Sequence, residues 1–261
     1  MTTLVETIIN KAMKADIRLG QENLRHDVEE AVRVLNAITG VPVGYNVRNV
    51  NQTGGGIAEV IDAKQFKFTN CQEVSFSQMY PYILRNEYGN LLIGGYYIKD
   101  LVDGLMEARR ETKKDWVTNT SIKIKVLLNL LFTFITRSDL VWADEVTQGV
   151  PAHGRRLTSE LFDKLYDIDD VYPVRVHVDE IFITSLNGKV DLSHIEMGDY
   201  PIFVDELDSY RTGAKDLVFF DRIRYVIGNG RCFKTMHTLE EKNGFLTRRT
   251  AELQQRVWEK V

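Results

Sequence analysis

Apolar residues recur at helical spacing over residues 3 to 19, where Leu4, Val5, Ile8, Ile9, Ala12 and Met13 form one stripe. Residues 22 to 39 repeat the pattern with Leu24, Val28, Ala31, Val32, Leu35 and Ile38, and Gly40 and Pro42 predict the stop. From 41 to 68 the pattern changes to strands and turns, with Asn51-Gln52-Thr53-Gly54-Gly55-Gly56 as a loop. Phe66, Phe68, Val74 and Phe76 then alternate, as a sheet packed on one face requires. The stretch Val74-Ser75-Phe76-Ser77-Gln78-Met79-Tyr80-Pro81-Tyr82-Ile83-Leu84-Arg85 predicts a buried strand, a turn and a helix, with proline suited to the first helical positions. Two further helices are expected over 96–114 and 119–136, joined through Asp115-Trp116-Val117-Thr118. Beyond them, Gly149-Val150-Pro151 reads as a turn and residues 158–166 as a helix capped by Thr158 or Ser159. Residues 174–183 alternate like a strand, and Asn187-Gly188 supplies a hairpin signal. A last helix over 238–260 turns Leu246, Leu253 and Val257 inward.

With 261 residues, 44% of them apolar, the chain can bury a sizeable core. No stretch is long and apolar enough to span a bilayer, and no leader-like N-terminus is present, so a soluble, cytoplasmic protein is expected. Cys71 and Cys232 lack metal-ligand spacing and suggest no disulfide framework. The net charge of -4 argues against a uniformly basic nucleic-acid binder. The average conceals a split, because residues 211–261 carry 11 Lys+Arg against 6 Asp+Glu, a net of +5, which leaves -9 for the first 210. A local phosphate-binding surface is therefore permitted.

Three motifs in order carry a resemblance. Ser75-Phe76-Ser77-Gln78-Met79-Tyr80-Pro81 resembles motif A of the family B DNA polymerases, Asp-x-x-Ser-Leu-Tyr-Pro. Lys125-Val126-Leu127-Leu128-Asn129-Leu130-Leu131-Phe132-Thr133 resembles motif B, Lys-x-x-x-Asn-Ser-x-Tyr-Gly, keeping the lysine, the asparagine and an aromatic. Val176-His177-Val178-Asp179-Glu180-Ile181-Phe182-Ile183 resembles motif C, Tyr-x-Asp-Thr-Asp-Ser-Ile. Echoes of family A exist in Val-His-Val-Asp-Glu and Ser-Phe-Ser-Gln, but the Tyr80-Pro81 pair fits family B better, in its compact, protein-primed phage branch.

The resemblance implies an α+β, polymerase-like right hand with an antiparallel palm sheet, helical fingers and a small thumb. Residues 1–45 would form an N-terminal helical segment, 46–95 the first palm part, 96–140 the fingers hairpin, 141–195 the second palm part and 196–261 a C-terminal palm and thumb. The preceding exonuclease domain of the relatives is missing, so proofreading is not expected. In the family, carboxylates of motifs A and C hold two metal ions roughly 3.5–4 Å apart. Here those positions are Ser75, His177 and Asp179, and a neutral hydroxyl cannot supply the charge that hard divalent ions demand. The three are vestigial positions; no metal ligand and no cofactor is expected. Glu73 shares the strand face of Ser75, but lies about 7 Å along the strand.

Phosphate-binding groups survive. Lys113 and Lys125 match the family's triphosphate-gripping lysines, and Arg109 and Arg110 accompany them on the fingers, although interleaved acids also fit a plain solvated face. Tyr80 stands where the family seats the nucleotide sugar, or plugs the sheet corner. Arg222, Arg224, Tyr225, Arg231 and Lys234 interleave cations with an aromatic, as backbone charge plus base stacking requires. The expected function is a non-catalytic, polymerase-like single-stranded DNA-binding protein. It would act as an accessory or recruitment factor in phage-type replication or transcription, in the cytoplasm of an infected host cell. Expected partners are single-stranded or primer-template DNA and a phage RNA or DNA polymerase, with no membrane. The alternative is a minimal or split family B DNA polymerase, which would need Mg²⁺.

Overall fold

The computed structural model describes residues 3–19, 23–43, 58–60, 67–69, 71–113, 119–188, 190–206, 216–219, 225–228 and 233–235. The chain divides into two compact units, Met1–Gly55 with Gln78–Gly154, and Gly56–Ser77 with Arg155–Val261.

The first unit is built on helices. α1, Leu4–Met13, starts at a capping box in which the Thr3 hydroxyl accepts from the Glu6 N–H and the Glu6 carboxylate accepts from the Thr3 N–H. It ends at Met13, the last residue of its apolar stripe and short of the expected bound at 19. The Asp27 carboxylate accepts the N–H groups of Arg18 and Leu19, and Glu30 accepts that of Asp16, so side chains replace the helical bonds of this segment. α2, Leu24–Thr39, stops at Gly40, whose φ of 73° is left-handed backbone that glycine adopts without strain. After α3, Met79–Glu87, a short hairpin of β4, Leu92–Ile93, and β5, Tyr96–Tyr97, leads into α4, Ile98–Thr112. α5, Thr120–Thr136, follows. α4 packs on α5, α1 and α3, and α2 packs on α5. Ile8, Leu35, Leu101, Leu105, Leu128 and Phe134 are fully buried among them. The Lys123 ammonium donates to the Ala15 carbonyl at 2.7 Å, and Arg137 pairs with Glu29 at 2.9 Å.

The second unit is built on antiparallel sheets. Five strands lie in the order β1, Ala58–Val60; β6, Tyr172–His177; β7, Glu180–Thr184; β3, Gln72–Phe76; and β8, Ile202–Glu206. Four more lie in the order β11, Phe233–Thr235; β10, Tyr225–Gly228; β9, Asp216–Phe219; and β2, Lys67–Thr69. One face of the larger sheet is apolar, with Val74, Phe76, Val176, Ile181 and Ile183 all buried. Mixed helix and antiparallel sheet give the expected α+β class.

Two local expectations are corrected. The Gly149-Val150-Pro151 step is no turn but lies inside α6, Ala143–Tyr166, and Thr158 is not its cap. Ala143, Val146, Val150, Leu157, Leu161 and Leu165 are buried at helical spacing, and that continuous stripe outweighs the local helix breakers. The hairpin turn after β6 falls at Val178-Asp179 rather than at Asn187-Gly188, because the carbonyls of both tip residues are captured, by Thr158 Oγ1 at 2.7 Å and by the Phe76 N–H at 2.9 Å. The loop at 51–56 and the helix expected over 238–260 lie outside the described residues. Among the described residues no helix is long and apolar enough to cross a membrane.

Candidate functional site

In the five-stranded sheet, β3 runs between β7 and β8, so Ser75 pairs with Glu180 on one side and Phe203 on the other. Directly paired residues of antiparallel strands share a face, their Cβ atoms about 4.5–5.5 Å apart. Glu73 lies on that same face and pairs with Phe182. His177 is placed by its backbone alone, as the β6 partner of Glu180. The motif A and motif C positions are therefore brought together, with a hydroxyl at the centre of the row.

Val178 and Asp179 form the hairpin tip beside this row. Val178 has a φ of 57°, an uncommon value for a β-branched residue, and the two captured carbonyls hold it there. The Asp179 carboxyl is half-buried, and burial pushes it above its ordinary value of 3.8. The cause is desolvation and not a neighbouring carboxylate. A two-ion centre of the family kind needs several anionic oxygens; the motif A position supplies a hydroxyl and Asp179 a carboxyl pushed towards its neutral form, while Glu73 and Glu180 stand on the same face as Ser75. Among the described residues no group of three or more His, Cys, Asp or Glu side chains is arranged to hold a metal ion.

The helical unit carries the cations. Arg109 and Lys113 stand one turn apart on α4, and Ser121 and Lys125 one turn apart on α5; the Ser121 hydroxyl donates to the Arg109 carbonyl at 3.3 Å and ties the two turns together. Lys113 and Lys125 are exposed. Burial lowers the Arg109 guanidinium below its ordinary range, and its buried Nε has no hydrogen-bond partner among the described residues. Arg110, by contrast, pairs with Glu107. On α5, Lys125, Asn129 and Phe132 recur at helical spacing, and Tyr80 meets Phe132 edge-to-face with ring centroids 5.1 Å apart. Gln78, left-handed at φ 59°, is the N-cap of α3 and places Tyr80 on its first turn.

Arg222, Arg224 and Arg231 lie outside the described residues, and Tyr225 and Lys234 are described only as backbone, where Tyr225 pairs with Phe219 and Lys234 with Ile227. The sequence reading misses Phe203 and gives Thr158 only a capping role. Neither sits in a motif, and only the register and the run of α6 bring them to the row and the tip.

No family model and no curated protein matches the sequence. Among solved structures, the family B DNA polymerase from the hyperthermophilic archaeon Pyrobaculum calidifontis matches 87% of this chain with a TM-score of 0.56 at 14% identity. The fold is polymerase-like. The chain spans 37% of the length of that polymerase, and at this identity the likeness establishes the fold alone.

Proposed function

We propose that this chain is a non-catalytic, polymerase-like protein that binds single-stranded DNA and serves as an accessory or recruitment factor in a phage-type replication or transcription machinery. The observation that carries this is the centre of the larger sheet. Ser75 stands between Glu180 and Phe203, where the resembling enzymes need a carboxylate. The cations Arg109, Lys113 and Lys125 support retained phosphate binding, and the buried Arg109 Nε has no hydrogen-bond partner among the described residues. A strand can be held by such groups without being extended. The test is titration of a labelled oligothymidylate over a series of salt concentrations. Log affinity is expected to fall linearly with log salt, and no affinity at low salt overturns the proposal. Stimulation of a phage RNA polymerase on a single-stranded promoter template tests the recruitment step.

One observation favours a second reading, a reduced DNA polymerase. Glu180 and Glu73 share the face of Ser75, so carboxylates do stand near the vacated position. Primer extension with Mg²⁺ or Mn²⁺ that is abolished by Asp179→Ala would establish it in place of the first.

A further inference from the structure

We infer that Phe203 is a base-stacking platform, an aromatic seat for one nucleobase of a bound single strand beside Ser75. The inference deepens the single-stranded DNA reading and rests on it. Phe203 lies on β8, at the edge of the five-stranded sheet. Its side chain is on the face of Ser75, Glu73 and the fully buried Phe182, but at the edge of that face. Although its partner strand is buried in part, Phe203 remains 59% exposed. No ring among the described residues stacks on it.

Its position is rigid, because β8 is paired with β3 in continuous register from Gln72–Glu206 to Phe76–Ile202, and the Ser77 N–H donates to the Pro201 carbonyl at 2.8 Å just before the strand. Ser75, its cross-strand neighbour, is small and sets no bulky side chain directly opposite the ring. A fixed, exposed π face next to a short hydroxyl suits a flat base, which every nucleotide offers whatever its sequence. Phosphate would gain nothing from an uncharged ring. The seat therefore takes bases, and the strand's phosphates are left to cations elsewhere on the chain.

The experiment uses the full chain, an oligothymidylate probe and three variants. Phe203→Trp adds a fourth tryptophan at the seat, and saturation with the probe should quench more emission than it does in wild type, which has three. Phe203→Leu keeps the apolar bulk but removes the π face, and Phe203→Ala removes both. Phe203→Leu and Phe203→Ala should each weaken binding roughly tenfold, as loss of one stacked base does, while Phe203→Trp binds at near wild-type strength, all without changing the slope of log affinity against log salt. Salt-dependent binding by Phe203→Leu and Phe203→Ala at wild-type strength, with no quenching of Phe203→Trp beyond that of wild type, overturns the inference and leaves the DNA-binding proposal standing. Absence of any binding by the wild-type chain at low salt overturns both.

Discussion

At Asp179 burial and charge are in conflict. The folded chain favours the neutral carboxyl, so over the pH range from 3.8 up to its raised value the folded state holds a proton that the unfolded state has released. Stability contributed at this site is therefore lost as pH rises through that range, the reverse of an ion-paired aspartate. Asp179→Asn removes the penalty while keeping the shape. The variant should melt at a higher temperature than wild type at neutral pH, and the difference should close as pH falls below the ordinary carboxylate value. Melting curves across that range check it. A variant less stable than wild type at neutral pH would mean that a cation or metal ion holds the charged form, which is what the enzymatic alternative requires. The same residue shows how chemistry was legible in sequence while its environment was not. Motif spacing located Asp179, but its burial follows from a hairpin tip fixed by Thr158 and Phe76, which no local pattern announces.

Among the elements, α4 and α5 follow their apolar periodicity closely, whereas α6 runs through the glycine and proline that predicted a turn. Local punctuation is a weak signal when a longer stripe can be buried, and that weighing depends on what packs against the stripe. Gly149 shows the packing involved. A Cβ there would fall on the Tyr88 hydroxyl, so the glycine is kept for the close approach of a neighbouring side chain and not for a turn. Gly149→Ala should destabilise the chain by roughly 1–3 kcal/mol through overpacking, despite alanine's better helix propensity. Tyr88→Phe removes the offending oxygen, so the double variant should recover much of the loss. Denaturant melts of the four proteins measure the coupling, and additive effects would show that the contact is not the cause. β8 illustrates the opposite limit. Ile202-Phe203-Val204-Asp205-Glu206 gives no indication of which side faces the core, because strand register decides it.

Across the whole molecule, charge opposes DNA on average, since the first 210 residues carry -9 and only residues 211–261 are net basic. Binding must then depend on a few well-placed cations, and the salt dependence of affinity counts them. Arg109 and Arg110 are adjacent in sequence and differ in circumstance. Arg109 is half-buried with its Nε unbonded among the described residues, while Arg110 already neutralises Glu107. Replacing Arg109 removes a half-buried cation whose Nε is unbonded among the described residues, so Arg109→Gln should lower the slope of log affinity against log salt by about one and leave the melting temperature unchanged or higher. Arg110→Gln should change the slope less, because its charge is shared with a carboxylate. Oligothymidylate titrations of both variants decide the matter. Equal slopes for Arg109→Gln and wild type would remove Arg109 from the DNA-binding surface and leave phosphate contact to other cations of the chain. A full unit lost in both would show that the Glu107 pair opens when phosphate arrives, so that α4 presents its cations as a set.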